Sequence, residues 1–133
     1  MDETDNSIIE TLKKDSRTPF LQIAKTLKVS EGTIRKRVKD MVAEKHIKRF
    51  TLETSEDVFA VVGIETETKT ETKKIAEKIK SFGVHSIFEV TGRFDIICMV
   101  PSTDMEKVND ILEKIRSTIG VIHTETFTVL KKD

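Results

Sequence analysis

The chain has 133 residues, 37% of them hydrophobic, with seven Phe and one Cys. That is enough apolar mass for one ordinary domain or two small ones, and it excludes both disorder and a disulfide framework. The 23 basic residues balance 23 acidic ones, so any electrostatic signal has to be local. No apolar run approaches the ~20 residues that span a bilayer, and no signal peptide is read. A lone cysteine fits a reducing cytoplasm. Charged residues make up 35% of the chain, while Asn6, Gln22 and Asn109 supply its side-chain amides. This Lys/Glu-rich, amide-poor balance suggests a thermophile.

Residues 4–14 are predicted as a first helix, with Ile8, Ile9 and Leu12 on one face. Two short helices follow within 18–45. Thr18 is expected to cap the first and Pro19 to occupy its opening position. Ile23, Ala24 and Leu27 form its apolar face, and Val29 plugs the corner. Ser30 caps the second, whose apolar positions are Ile34, Val38 and Met41. At about 100° per residue, Lys36 points about 200° away from Ile34. Arg35 and Lys39 flank this outward face, with Gly32 and Thr33 at its N-terminal end. Arg37 lies about 60° from the apolar direction, so its stem is expected to be partly buried and its head paired with the first helix, at Asp5.

Charge follows this geometry. Residues 1–52 carry 12 Lys/Arg and 8 Asp/Glu, a net of +4, and residues 53–133 carry 11 and 15, a net of −4. Residues 35–49 hold seven cations (Arg35, Lys36, Arg37, Lys39, Lys45, Lys48, Arg49) against Asp40 and Glu44. A capped helix-turn-helix with a cationic outward face is what a reader of the DNA major groove requires. A merely solvated helix face is the bland alternative.

Ile47, Phe50 and Leu52 then alternate as a short strand, before the polar stretch 53–57. Val58–Ile64 is predicted as a strand and 69–82 as a helix with Ile75, Ile79 and Phe82 inward, ended by Gly83. Val84–Thr91 and Ile96–Val100 form a hairpin about the turn Gly92-Arg-Phe-Asp95. Ser102 and Thr103 lead into and cap a helix over 104–118, with Val108, Ile111, Leu112, Ile115 and Ile119 on one side. Gly120 ends it, and Val121–Leu130 is the last strand. The order is β-α-β-β-α-β, a ferredoxin-like split unit with both helices on one face of a four-stranded antiparallel sheet. The strands 58–64 and 96–100 are apolar on both faces, so the second face implies a cover, most simply a two-fold related copy.

The motifs Asp2…Asp5…Ile8-Ile9…Leu12, Asp15-Ser-Arg17, Ile23-Ala24…Leu27…Val29-Ser30, Thr33-Ile34…Arg37-Val38, Ile47-Lys48…Phe50 and Thr91-Gly92…Asp95-Ile96, in this order over nearly the whole chain, resemble the Lrp/AsnC (feast/famine) family of bacterial and archaeal transcription regulators. The resemblance implies an archaeal DNA-binding regulator and no enzyme. Its expected parts are a winged helix-turn-helix over 1–50, a linker or strand over 51–57, and a ferredoxin-like RAM domain over 58–133. It also implies homodimers assembling to tetramers or octamers, palindromic operators, and an amino-acid effector bound between subunits. The chain departs from the family at Lys45, where Gly is frequent.

On this reading Thr33, Arg35 and Lys36 read base edges, while Lys39, Lys48 and Arg49 contact phosphates, with Arg37 a second-rank phosphate contact. The family implies that the 92–95 turn borders the effector pocket, with Gly92, Arg93, Asp95, Thr124 and Thr126 as candidates. Arg93 there can meet a ligand carboxylate. Plain turn chemistry is the competing account of Gly92 and Asp95. Cys98, inside an apolar strand, reads as a buried structural thiol. His46, His85 and His123 lack metal-ligand spacing, so no metal or cofactor is expected. Two other classes stay open: an architectural DNA binder without sequence preference, and a haem-biosynthesis decarboxylase on a similar frame. The enzyme would need basic and His side chains lining a tetrapyrrole pocket, whereas the cations here gather on the helix-turn-helix.

Overall fold

A computed structural model describes residues 1–54, 58–101 and 104–133 and divides the chain into two compact units, Met1–Leu52 and Glu53–Asp133. Part of the 51–57 linker and the expected caps Ser102 and Thr103 lie outside the described residues.

The N-terminal unit contains three helices: α1 (Glu3–Lys14), α2 (Phe20–Leu27) and α3 (Glu31–Ala43). Asp2 caps α1 by accepting from Asp5 N–H, and Asp5 returns a carboxylate to Asp2 N–H, a reciprocal capping box. Ser30 caps α3, its Oγ accepting from Thr33 N–H at 3.1 Å. Ile8, Leu12, Ile23, Ala24, Ile34, Val38 and Met41 bury together as the unit's core. These are the positions that helical spacing selects on each segment.

Three expectations change here. Thr18 does not cap α2; its hydroxyl donates to Asp15 O at 2.8 Å, and Pro19, with extended ψ of 139°, is itself the cap residue. Val29 is exposed rather than a corner plug. The turn is closed by backbone instead: Lys28 takes a left-handed φ of 58° and Val29 N–H reaches Ala24 O at 3.0 Å. Residues 47–52 are irregular, so the described residues of this unit show no wing strand. A lone alternating segment has no ladder partner within the unit, and only Ile47 turns back onto the core.

The C-terminal unit runs β1 (Ala60–Thr66), α4 (Thr72–Lys80), β2 (Ser86–Glu89), β3 (Ile96–Val100), α5 (Met105–Arg116), β4 (Val121–Thr128). The strands form one antiparallel sheet in the order β2-β3-β1-β4. This is the split β-α-β arrangement expected from the sequence. Ala60, Val62, Ile64, Ile96, Cys98 and Val100 face the helices and are fully buried against Ile75, Ile79, Val108 and Ile115. Burial pushes the Cys98 thiol up to about 11. Ile119 is a correction: it is 86% exposed, because the helix ends at Arg116 and the 3.6-residue period no longer applies beyond it.

Register assigns the opposite face. Val61 pairs with Met99 and Phe127, Gly63 with Ile97 and Glu125, and Ile97 with Phe88. Phe88 and Phe127 are 51% and 49% exposed. Phe94 lies over Gly63, where a Cβ would meet its ring at 2.6 Å. The sheet is therefore apolar on both faces, as the strand composition predicted.

Candidate nucleic-acid interface

The recognition surface begins with helix α3. Its cap and core positions fix the rotation of the helix, so Arg35, Lys36 and Lys39 are exposed while Ile34, Val38 and Met41 are buried. Arg35 is already held: its Nη2 meets Glu31 Oε1 at 2.6 Å, and its guanidinium carbon lies 5.4 Å from the Phe20 ring centroid. Acidic Glu31 in the first turn of α3 and aromatic Phe20 opening α2 thus aim the arginine from two elements. Neither Phe20 nor Glu31 stood out in the sequence; the signal available was the i, i+4 spacing of Glu31 and Arg35. Lys36 approaches Asp40 at 3.8 Å. Thr33 is half-buried, its hydroxyl 2.8 Å from Ser30 Oγ.

Arg37 points the other way. Its Nη1 donates to Asp2 Oδ2 at 2.7 Å and Asp5 Oδ1 at 3.1 Å, tying α3 to the capping box of α1. The Arg37 hydrogen bond is the first cause that holds the Asp2 carboxyl below its ordinary 3.8, and the same contact raises Arg37. Its charge therefore answers carboxylates of its own unit, separating it from the outward cations. Lys48 and Arg49 are exposed in the irregular segment after α3, which leaves the helix through Lys45 at a left-handed φ of 63°.

In the C-terminal unit, the 92–95 turn is built by Gly92 at φ 122° and by Asp95, whose Oδ2 accepts from Thr66 N–H at 2.8 Å. Arg93 Nη2 lies 3.0 Å from Glu125 Oε2, a buried oxygen that makes no hydrogen bond among the described residues, so their interaction is one of charge without alignment. The Arg93 guanidinium also stands 5.3 Å from the Phe94 ring. Thr124 and Thr126 pair with Ile64 and Val62, which places them on the helix side of β4, opposite Glu125. The five expected effector residues therefore do not converge: Gly92, Arg93 and Asp95 share the turn, and the two threonines lie on the other face. Strand alternation separates two faces but does not say which one the helices cover. Among the described residues no cluster of His, Cys, Asp and Glu could hold a metal, and no helix is long and apolar enough to cross a membrane.

Two family models match the chain: the AsnC-type helix-turn-helix domain over residues 1–42 and the Lrp/AsnC ligand binding domain over 58–132. The chain belongs to the Lrp/AsnC family of transcriptional regulators. It is 39% identical to the HTH-type transcriptional regulator LysM of Saccharolobus solfataricus, over 98% of this chain and 94% of that protein. The solved structure of Escherichia coli AsnC superposes with a TM-score of 0.71 at 27% identity, covering 99% of this chain and 93% of that one. A feast or famine regulatory protein from Mycobacterium tuberculosis, solved with L-methionine, matches at a TM-score of 0.78 and 18% identity, over 98% and 92% of the two chains. The chain is thus a DNA-binding transcription regulator with a ligand-binding domain, and not an enzyme.

Proposed function

We propose that this regulator binds palindromic operators as a homodimer or a higher assembly of dimers, tetramer or octamer, in the cytoplasm, and that an amino acid modulates it. The domains divide at 1–50, 51–57 and 58–133. The observation that carries the DNA reading is the division of charge on α3: Arg35, Lys36 and Lys39 outward, Arg37 withdrawn onto Asp2 and Asp5. Thr33, Arg35 and Lys36 read base edges, and Lys39, Lys48 and Arg49 hold phosphates and set register. Arg37 serves the interface by orienting α3. The apolar outer sheet face, with Phe88 and Phe127 half-exposed, supports pairing of two copies through their C-terminal units.

An amino-acid effector is supported by the ligand-binding family model and by the methionine bound to the mycobacterial relative. The turn of Gly92, Arg93 and Asp95 is the site we assign to it, with Arg93 exchanging Glu125 for a ligand carboxylate. Footprinting on the chain's own promoter across a salt series tests the reading. A protected two-fold repeat with half-sites about one helical turn or a multiple apart is expected. Steep salt dependence without a preferred site would instead establish an architectural binder. Light scattering with a panel of amino acids tests the effector; an assembly and footprint indifferent to all of them would remove it.

A further inference from the structure

On the helix side of the C-terminal unit, α4 and the end of α5 leave a groove of about 610 Å³ between them, a volume ordinary for small-molecule sites. Its floor and wall are apolar: Ile75, Phe82 and the 86%-exposed Ile119. Gly120, next to Ile119, packs closely on the same isoleucine, since a Cβ there would meet Ile75 Cδ1 at 2.7 Å.

The polar lining has one sign. Lys74 and Lys78, one turn apart on α4, face Lys114 on α5 across the groove. None of the three has an ion-pair partner among the described residues, although acids outnumber bases in residues 53–133 by 15 to 11. The lining hydroxyls are engaged elsewhere: Thr70 donates to Glu67, and Ser117 and Thr118 donate back to the Lys114 carbonyl. Among the described residues no carboxylate lines the groove. An α-ammonium would therefore find no counter-charge, whereas an anion on an apolar tail would find three donors around a hydrophobic floor.

We infer that this groove is a binding site for a small amphipathic acid, an aliphatic or aromatic chain ending in a carboxylate or phosphate and carrying no amine. It is separate from the 92–95 turn and different in chemistry from an amino-acid site.

Calorimetry on the full chain tests this with matched probes: octanoate, octyl phosphate, octylammonium and leucine. One or both acids bind saturably, one per chain, and whichever binds tighter identifies the head group. Octylammonium and leucine do not bind in the groove. Ile119→Asp, at an exposed position that leaves the fold intact by circular dichroism, weakens acid binding by about tenfold or more, and so does the triple Lys74→Ala/Lys78→Ala/Lys114→Ala variant. Absence of saturable binding by both acids overturns the inference. So does octylammonium binding as tightly as octanoate, or acid binding by either variant at the parent's affinity.

Discussion

Arg35 and Lys39 stand one helical turn apart on the same exposed face of α3, yet their surroundings assign them different work. Arg35 is oriented by Glu31 and Phe20, and a guanidinium held in a fixed direction suits a base edge. Lys39 has no such clamp among the described residues, and a mobile ammonium suits a phosphate. Arg35→Ala is expected to cost about 1–3 kcal/mol of operator affinity and to relax preference at one base pair. Lys39→Ala is expected to weaken all sequences alike and lower the salt slope by about 1. Gel-shift titrations of both variants at fixed salt check this; identical behaviour of variants and parent removes the assignment. Arg37 yields a pH effect. Because it lowers Asp2 in the folded state, the stabilisation is present above the ordinary carboxylate value of 3.8 and is lost as pH falls through the lower, folded value. Arg37→Ala should therefore flatten the acid limb of the helical unit's stability below about pH 4, measured by urea titration of the parent and variant. Parallel acid limbs would show that the pair contributes nothing.

At the scale of elements, the helix-turn-helix was legible because its information is local. Ser30, the 3.6-residue period and the off-axis position of Arg37 are contained in one short segment, and each was met in the structure. The misses share a physical origin too. Thr18 and Val29 sit where backbone closure competes with side-chain roles, and the backbone solution prevailed at Lys28. Ile119 obeys a period that had already ended. The face of Thr124 and Thr126 depends on register across β1, which involves residues some 60 positions away and leaves no local trace. Residues 47–52 alternate like a strand but have no partner in their own unit. Lys45 adds a measurable point: a side chain at φ 63° is strained where glycine is not. Lys45→Gly is expected to raise the stability of the helical unit by about 1 kcal/mol in denaturant titration, while Lys45→Ala leaves it unchanged. Equal effects of the two would mean that the strain is relieved elsewhere.

For the molecule as a whole, the two-faced sheet makes a monomer an incomplete state on our reading. Phe127→Asp places a charge on the outer face, on edge strand β4 beside Val61 of β1 and away from the side covered by α4 and α5. Light scattering should then show loss of the assembly while circular dichroism keeps the C-terminal fold, and binding to a two-fold operator should fall more than binding to a half-site. An unchanged mass would remove the outer face as the contact. Thermal denaturation should give a high midpoint, as the amide-poor composition implies; a mesophilic value would contradict it. The sole cysteine of the sequence, Cys98, is fully buried in β3 with its thiol pushed up to about 11. A native chain should therefore be inert to Ellman's reagent at neutral pH, reacting only as the sheet opens. The slow colour change becomes a stopwatch for the C-terminal unit alone, silent about the N-terminal one, and any compound that braces the sheet would announce itself by stopping the clock.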